Sequence, residues 1–138
     1  MNTPLRILVV EDSLIALVVI KTQLTKLGCL VDSATDGESA LKEAQSKPYD
    51  LILMDIGLGD GPDGFEVAAH IKQQSPINHL TPIMAVTSHG ETEYIEKALE
   101  VGMVGFFHKP FTLEDAMKII EYTKEPAVNT VYLASVSG

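Results

Sequence analysis

The sequence is short of cysteine, tryptophan, basic residues and long apolar runs. Its 138 residues include one cysteine, no tryptophan, and ten lysines and arginines against nineteen aspartates and glutamates. A single cysteine, Cys29, excludes an internal disulfide and a shared cysteine metal site, so we expect a small half-buried apolar residue there. The formal net charge of −9 argues against direct nucleic-acid binding, because phosphate contacts need clustered lysine and arginine.

The sequence also lacks the pattern of a membrane-spanning segment, the pattern of a signal peptide and histidines spaced as metal ligands. No apolar run approaches the roughly 20 residues of a membrane span, and the start, MNTPLR, lacks the apolar segment of a signal peptide. We therefore expect no membrane anchor and predict a cytoplasmic protein. The four histidines, His70, His79, His89 and His108, show no metal-ligand spacing, and we interpret them as surface or loop residues.

Short apolar runs alternate with segments of helical spacing along the whole chain. The predicted strands are 6–11, 30–34, 51–55, 82–87 and 104–108. The predicted helices are 13–27, a second that begins at 35–37 and stops at 47–48, 65–74, 91–101, and a fifth that begins at 112. Strands and helices that alternate with short connections predict an α/β fold with a doubly wound parallel sheet. We assign one domain to residues 1–124 and a C-terminal tail or linker to residues 125–138.

Two of the predicted strands end in acidic residues. Glu11 and Asp12 follow the run ILVV, and Asp55 follows the run LILM. In open α/β sheets the carboxyl ends of the strands form the ligand-binding edge. If the two strands are adjacent, three carboxylates converge there and repel one another unless a cation or a shared proton intervenes. An all-oxygen site suits Mg²⁺, although Asp12 and Asp55 could also serve only as a helix cap and a turn residue.

Two further strand ends complete a pattern. Strand four stops at Thr87, and strand five stops at the sequence HKPF, which contains Lys109. An acid pair, an aspartate, a hydroxyl and a Lys-Pro pair then share one edge of the sheet. With these four motifs the chain resembles a two-component response-regulator receiver domain over roughly residues 5–123.

The resemblance implies a (βα)5 flavodoxin-like fold with strand order 2-1-3-4-5 and a site for phosphoryl transfer. Asp55 would be the phosphoacceptor. Asp12 and Asp55 would bind Mg²⁺ with the Gly57 carbonyl, and Glu11 would act through a metal-bound water. The partner would be a histidine kinase or a histidine phosphotransfer protein. Such a domain is not an enzyme in the ordinary sense, since it catalyses only its own phosphorylation and dephosphorylation.

The resemblance also implies roles for residues of the last two strands. Thr87 and Lys109 would hold the phosphoryl oxygens, as phosphoryl transfer requires. Thr87 and Phe106 would form a switch through which phosphorylation alters the face made by helix 4, strand 5 and helix 5. A cis peptide bond before Pro110 is implied as well, and Phe107 is expected in the core with Phe111.

The sequence departs from the family pattern in three places. Gly59 replaces the usual proline at the fourth position after Asp55, and the loop 59–64 is one residue longer than usual. Phe106 stands where a tyrosine is frequent, so it offers no hydroxyl. Gly57 leaves the second position after the acceptor without a side chain, and we therefore expect an acyl phosphate that is poorly shielded from water.

The sequence fits three alternative functions less well than the receiver interpretation. A haloacid-dehalogenase-like phosphatase also uses an aspartate at a strand end, but it needs a second aspartate where Gly57 stands. A flavodoxin-like cofactor binder would place a flavin phosphate at an acidic edge that repels it. A degenerate receiver that acts only in protein interaction is disfavoured by the intact set of site residues.

Helix one carries seven consecutive apolar residues, LIALVVI, beginning at Leu14. Helical spacing places one stripe against the sheet: Ala16, Leu17, Ile20, Leu24 and Leu27. The other apolar residues, Leu14, Ile15, Val18 and Val19, form what we call the helix-one patch, next to the acid pair. We predict that this patch docks a helix that bears a phosphohistidine. Homodimer formation or contact with tail residues 131–133 is the alternative.

Overall fold

The computed structural model describes residues 3–58, 61–88 and 92–124, and within them five strands alternate with five helices. The strands are β1 (Arg6–Val10), β2 (Leu30–Ala34), β3 (Leu51–Asp55), β4 (Ile83–Thr87) and β5 (Gly105–His108). The helices are α1 (Leu14–Lys26), α2 (Gly37–Ser46), α3 (Gly64–Gln74), α4 (Thr92–Glu100) and α5 (Leu113–Lys124). No helix in these ranges is long and apolar enough to cross a membrane.

All strand pairs are parallel, and the strand order is β2-β1-β3-β4-β5. The predicted doubly wound sheet and its 2-1-3-4-5 order are therefore confirmed. The order reverses between β1 and β3, and the crevice at the carboxyl ends of two such strands is where open α/β sheets bind ligands. The acidic strand ends lie at this reversal.

The core forms two layers, one on each face of the sheet. Ile52 and Met54 of β3 belong to the layer that contains residues of α2, α3 and α4, whereas Leu51 and Leu53 belong to the layer that contains residues of α1 and α5. Because both faces are covered, β3 is a continuous apolar run rather than an alternating one.

The helix ends follow from local sequence chemistry. Gly28 and Gly102, which follow α1 and α4, have φ angles of +86° and +88°, a left-handed conformation that favours glycine. Before α5, the Thr112 N–H donates to Asp115 Oδ2 at 3.0 Å, and the Asp115 N–H donates to Thr112 Oγ1 at 3.1 Å. This is the capping box predicted from the sequence.

Several predicted boundaries were wrong by one residue. β1 ends at Val10, and α1 begins at Leu14 because Ser13 is its N-cap, with Oγ accepting from the Ala16 N–H at 3.3 Å. The predicted starts at 65, 82, 104 and 112 are at 64, 83, 105 and 113 in the structure, and the predicted helix ends at 27 and 101 are at 26 and 100.

Two interpretations of single residues were also wrong. Cys29 is buried rather than half-buried, because it packs in the layer between the sheet and α1. His108 is part of β5 rather than a surface or loop residue. The predictions for Gly59, His89, the start of helix four at 91 and the tail 125–138 lie outside the described residues.

Candidate functional site

The carboxylates of Glu11, Asp12 and Asp55 lie together at the carboxyl ends of β1 and β3. One oxygen of each group lies within 4.8 Å of the other two. The register of the two strands, in which Val10 pairs with Met54, brings Glu11 and Asp55 to the same level. Glu11 is fully buried, Asp55 is buried and Asp12 is exposed, so the cluster opens to solvent on the Asp12 side.

Glu11 is the most perturbed group of the cluster. Burial raises its pKa to about 7, although the Lys109 ammonium and the Ser13 N–H, 3.0 Å from Oε2, act to lower it. The nearby Asp55 carboxylate also contributes to this raised pKa. Desolvation and repulsion between carboxylates thus both oppose the charged form of Glu11.

Lys109 provides the cation of the site. Its Nζ lies 2.7 Å from Glu11 Oε1, as an ion pair without hydrogen-bond alignment, and 3.4 Å from Asp55 Oδ2. Burial alone would lower the pKa of Lys109, but the two carboxylates raise it above the usual value. Its backbone N–H donates to the Thr87 carbonyl at 2.9 Å, and the bond to Pro110 is cis, as the resemblance implied.

These residues fit a divalent cation of the Mg²⁺ type. The donors are carboxylate oxygens only, which suits a hard cation. Three carboxylates face one ammonium, and one of the three, Glu11, is completely removed from water. A bound divalent cation would offset this excess of negative charge.

Thr87 and Phe106 lie in the last two strands of the sheet, two register positions apart. Thr87 is buried at the end of β4 and pairs with His108 in register. Phe106 is fully buried in the layer that contacts α4, and its ring meets the His108 ring edge-on, with centroids 5.8 Å apart. The aromatic ring predicted to switch is therefore packed inward in this conformation.

Gly57 lies in the turn that follows the acceptor strand. Its N–H donates to Asp55 Oδ1 at 2.9 Å. A Cβ at position 57 would lie 3.6 Å from that same oxygen and, among the residues that the structure describes, within 4 Å of no other atom outside the adjoining residues. The glycine thus leaves open space beside the Asp55 carboxylate.

Two residues beside the site were missed by the sequence analysis. A Cβ at Gly64 would overlap the carbonyl oxygen of Asp55 and lie 2.6 Å from Ile56 Cα. Phe65 follows it and is buried against α4. No sequence signal pointed to them, since a glycine before a helix and a phenylalanine in its first turn are ordinary capping and core residues.

The residues of the helix-one patch differ in their exposure to solvent. Leu14, Ile15 and Val18 are 69%, 81% and 63% exposed, whereas Val19 is half-buried. Ile15 and Val19 line a groove of about 420 Å³ between α1 and the segment 109–111, close to Lys109. Of the stripe expected to face the sheet, three residues are buried and two are partly buried: Leu17, Ile20 and Leu24, then Ala16 and Leu27.

Comparison with known proteins gives the same family for most of the chain. Residues 7–121 match the family model described as "Response regulator receiver domain". The sensor protein EvgS of Escherichia coli is 36% identical over 110 residues, which are 80% of this chain and 9% of that protein. The response regulator ArlR of Staphylococcus epidermidis is 34% identical over 111 residues, 80% of this chain and 48% of that protein. The chain thus spans less than half the length of these curated relatives.

Solved structures agree with the sequence matches. The chemotaxis response regulator CheY4 of Vibrio cholerae superimposes with a TM-score of 0.79 at 30% identity, covering 88% of this chain and 99% of that one. The receiver domain of sensor histidine kinase PA1611 from Pseudomonas aeruginosa gives a TM-score of 0.78 at 32% identity, covering 86% and 96%. The latter structure has a magnesium ion coordinated in its active-site cleft.

Proposed function

Because the chain belongs to the response regulator receiver domain family, we propose that it accepts a phosphoryl group on Asp55 from a phosphohistidine of a partner protein. The position of Asp55 supports this proposal most directly. Its buried carboxylate ends the central strand, belongs to the acidic cluster and has the Lys109 ammonium 3.4 Å away. The site thus combines a nucleophile with a cationic group that can stabilise the charge of the transferred phosphoryl group.

In the proposed reaction one Asp55 oxygen attacks the phosphorus in line with the bond to the donor imidazole. The P–O bond forms while the P–N bond breaks, and the imidazole leaves with the electron pair of that bond. A carboxylate nucleophile needs no general base. Lys109 and Thr87 would donate to the phosphoryl oxygens and stabilise the charge that develops on them.

We further propose that Glu11, Asp12 and Asp55, with the Gly57 carbonyl, hold Mg²⁺. When bound, the ion would neutralise charge on the phosphoryl oxygens. The all-oxygen donor set and the excess of three carboxylates over the single Lys109 ammonium support this assignment. The magnesium in the related Pseudomonas cleft supports it by analogy.

The proposed partner is a histidine kinase or a histidine phosphotransfer protein that docks on the helix-one patch. The three strongly exposed apolar residues of this patch and the groove beside Lys109 support the assignment. A switch through Thr87 and Phe106, a cytoplasmic location, homodimer formation and a tail at 125–138 stay predictions. The relatives named above support neither the phosphatase, the flavin-binding nor the interaction-only alternative.

Incubation with acetyl phosphate and Mg²⁺, followed by intact mass measurement, tests the proposed function. The wild type should gain the mass of one phosphoryl group and Asp55→Asn none. The Asn variant should fold normally and be equally or more stable without metal, because one of three crowded carboxylates has lost its charge. A phosphorylated Asn variant would overturn the assignment of Asp55.

Asp12→Ala tests the metal site separately. Mg²⁺ should raise the melting temperature of the wild type by mass action and that of Asp12→Ala much less. Equal shifts in the two proteins would remove Asp12 from the proposed site.

A further inference from the structure

The first turn of α3 lies directly on the backbone of the proposed acceptor. Gly64 has no room for a side chain, since a Cβ there would overlap the Asp55 carbonyl oxygen and lie 2.6 Å from Ile56 Cα. The turn is fixed by a capping box in which the Glu66 N–H donates to Asp63 Oδ1 at 2.9 Å and the Asp63 N–H donates to Glu66 Oε1 at 3.1 Å. A rotation or shift of this turn therefore acts on the position of Asp55.

The next residue of the turn, Phe65, is held by two residues of α4. Phe65 is 4% exposed, and its ring stacks on the Tyr94 ring, with centroids 6.3 Å apart and planes 11° apart. Lys97 Nζ lies 4.9 Å from the centroid of the same ring. Both contacts are attractive, the first between aromatic rings and the second between a cation and a ring.

Apart from these contacts, α4 buries little of its surface against the core. Ala98 is the single fully buried residue within α4 as the structure describes it. Tyr94 and Ile95 are only partly buried against the core layer. The contacts of Tyr94 and Lys97 with Phe65 therefore contribute substantially to holding α4 against α3.

We propose that Phe65 is a positioning residue for the acceptor, which couples α4 to Asp55 through Gly64. The inference rests on the proposed function, because it concerns phosphorylation of Asp55. Coupling of this kind is reciprocal: a change at α4 alters ligand binding at Asp55, and a ligand at Asp55 alters α4 by the same factor. The link runs through α3, whereas the proposed switch residues Thr87 and Phe106 lie in β4 and β5.

Substitutions in α4 test the link without touching the proposed site. Tyr94→Leu removes the stacked ring, Tyr94→Phe keeps it, and Leu99→Ala changes an exposed residue of the same helix. The readouts are the Mg²⁺ dissociation constant and the initial rate of labelling by acetyl phosphate at saturating Mg²⁺. We expect Tyr94→Leu to weaken binding or slow labelling by about two- to thirtyfold, the usual range for residues that modulate coupling. Tyr94→Phe and Leu99→Ala should behave like the wild type.

A double-variant cycle identifies Phe65 as the coupling residue. Phe65→Leu should reproduce the effect of Tyr94→Leu, and the double variant should be no worse than either single one, because both remove the same contact. Wild-type Mg²⁺ binding and labelling in Tyr94→Leu, even with a lowered melting temperature, would overturn the inference, since a purely structural role predicts that result. Absence of labelling in the wild type would instead overturn the proposed function.

Discussion

The Lys109 ammonium lies 2.7 Å from the carboxylate of Glu11, which is completely buried. Removal of one partner of such a pair leaves an uncompensated charge away from water, which is costly. Lys109 therefore stabilises the acidic cluster without metal, and the same ammonium is 3.4 Å from Asp55, where phosphoryl charge would develop. The Lys109 side chain thus stabilises the unphosphorylated acidic cluster and would also take part in the proposed reaction.

Lys109→Met should separate these two roles. We expect labelling by acetyl phosphate to fall about a hundredfold, because a donor to the phosphoryl oxygens is lost. Mg²⁺ should bind more tightly, because a positive charge beside the cation site has been removed. The measurements are a time course of intact mass and a Mg²⁺ titration, with Lys26→Met as a control that removes the same charge from the far end of α1. Undiminished labelling, or weaker Mg²⁺ binding, would contradict the role given to Lys109.

Much of the fold was predictable because its signals are local. The run from Leu51 to Met54 is continuous because both faces of β3 are covered, and the glycines after α1 and α4 end those helices in the left-handed conformation. The carboxyl ends of parallel strands share one edge of the sheet, so the strand order alone brings Glu11 and Asp55 together.

The contacts around the site were not predictable, since they join segments that are distant in sequence. Phe65 and Tyr94 are 29 positions apart, and nothing in either local sequence signals that their rings stack. The difference in exposure between Val19 and the rest of the helix-one patch has a similar cause. Val19 is half-buried because it faces the groove beside the segment 109–111, and the periodicity of α1 alone could not show this.

The open space at Gly57 leads to a prediction about phosphoryl lifetime. Among the described residues beyond its chain neighbours, the Cβ of a side chain at this position would contact only the Asp55 carboxylate, at an ordinary 3.6 Å, so Gly57→Met should fold normally. Its side chain should keep water from the acyl phosphate and slow hydrolysis by up to about tenfold, or ~1.4 kcal/mol in the barrier. The decay of labelled protein after removal of acetyl phosphate provides the measurement, with Gly57→Ala as the small control. Equal decay in all three proteins would show that other groups position the attacking water.

Tyr49 gives the fold a pH dependence away from the site. Its hydroxyl donates to Asp32 Oδ2 at 2.8 Å and lies 3.4 Å from Glu43 Oε2. Burial and then these two carboxylates raise the pKa of Tyr49 well above its usual value of 10. The unfolded chain releases this proton near pH 10 while the folded protein retains it, so the stabilisation is complete below pH 10 and is lost as the pH rises above it.

Tyr49→Phe should remove this dependence. At pH 7 the variant should lose about 1 kcal/mol of unfolding free energy, the usual value of one hydrogen bond. Above pH 10 its stability should fall less steeply than that of the wild type. Urea unfolding at several pH values between neutral and alkaline measures both effects, and parallel stability curves for the two proteins would show that Tyr49 does not carry the effect.

The helix-one patch predicts different behaviour toward small and protein donors. Ile15 is 81% exposed and lines the groove beside Lys109, so a helix that docks there can bring an imidazole in line with Asp55. Ile15→Lys places a charge in the apolar contact and should slow transfer from a phosphorylated histidine protein by tenfold or more, an interface cost of about 1.4 kcal/mol. Labelling by acetyl phosphate should stay near the wild-type rate, because a small donor needs no docking surface.

The matched control for this prediction is Thr22→Lys, which adds the same charge to an exposed position two turns further along α1. It should transfer like the wild type from both donors. If Ile15→Lys affects both donors alike, the charge acts on the Asp55 site itself through its field. If it affects neither, the helix-one patch does not dock the donor, and sedimentation at high concentration would then test whether the patch joins two copies of this chain. Only selective loss of protein-donor transfer in Ile15→Lys, with Thr22→Lys unaffected, agrees with docking of a phosphohistidine helix on this face.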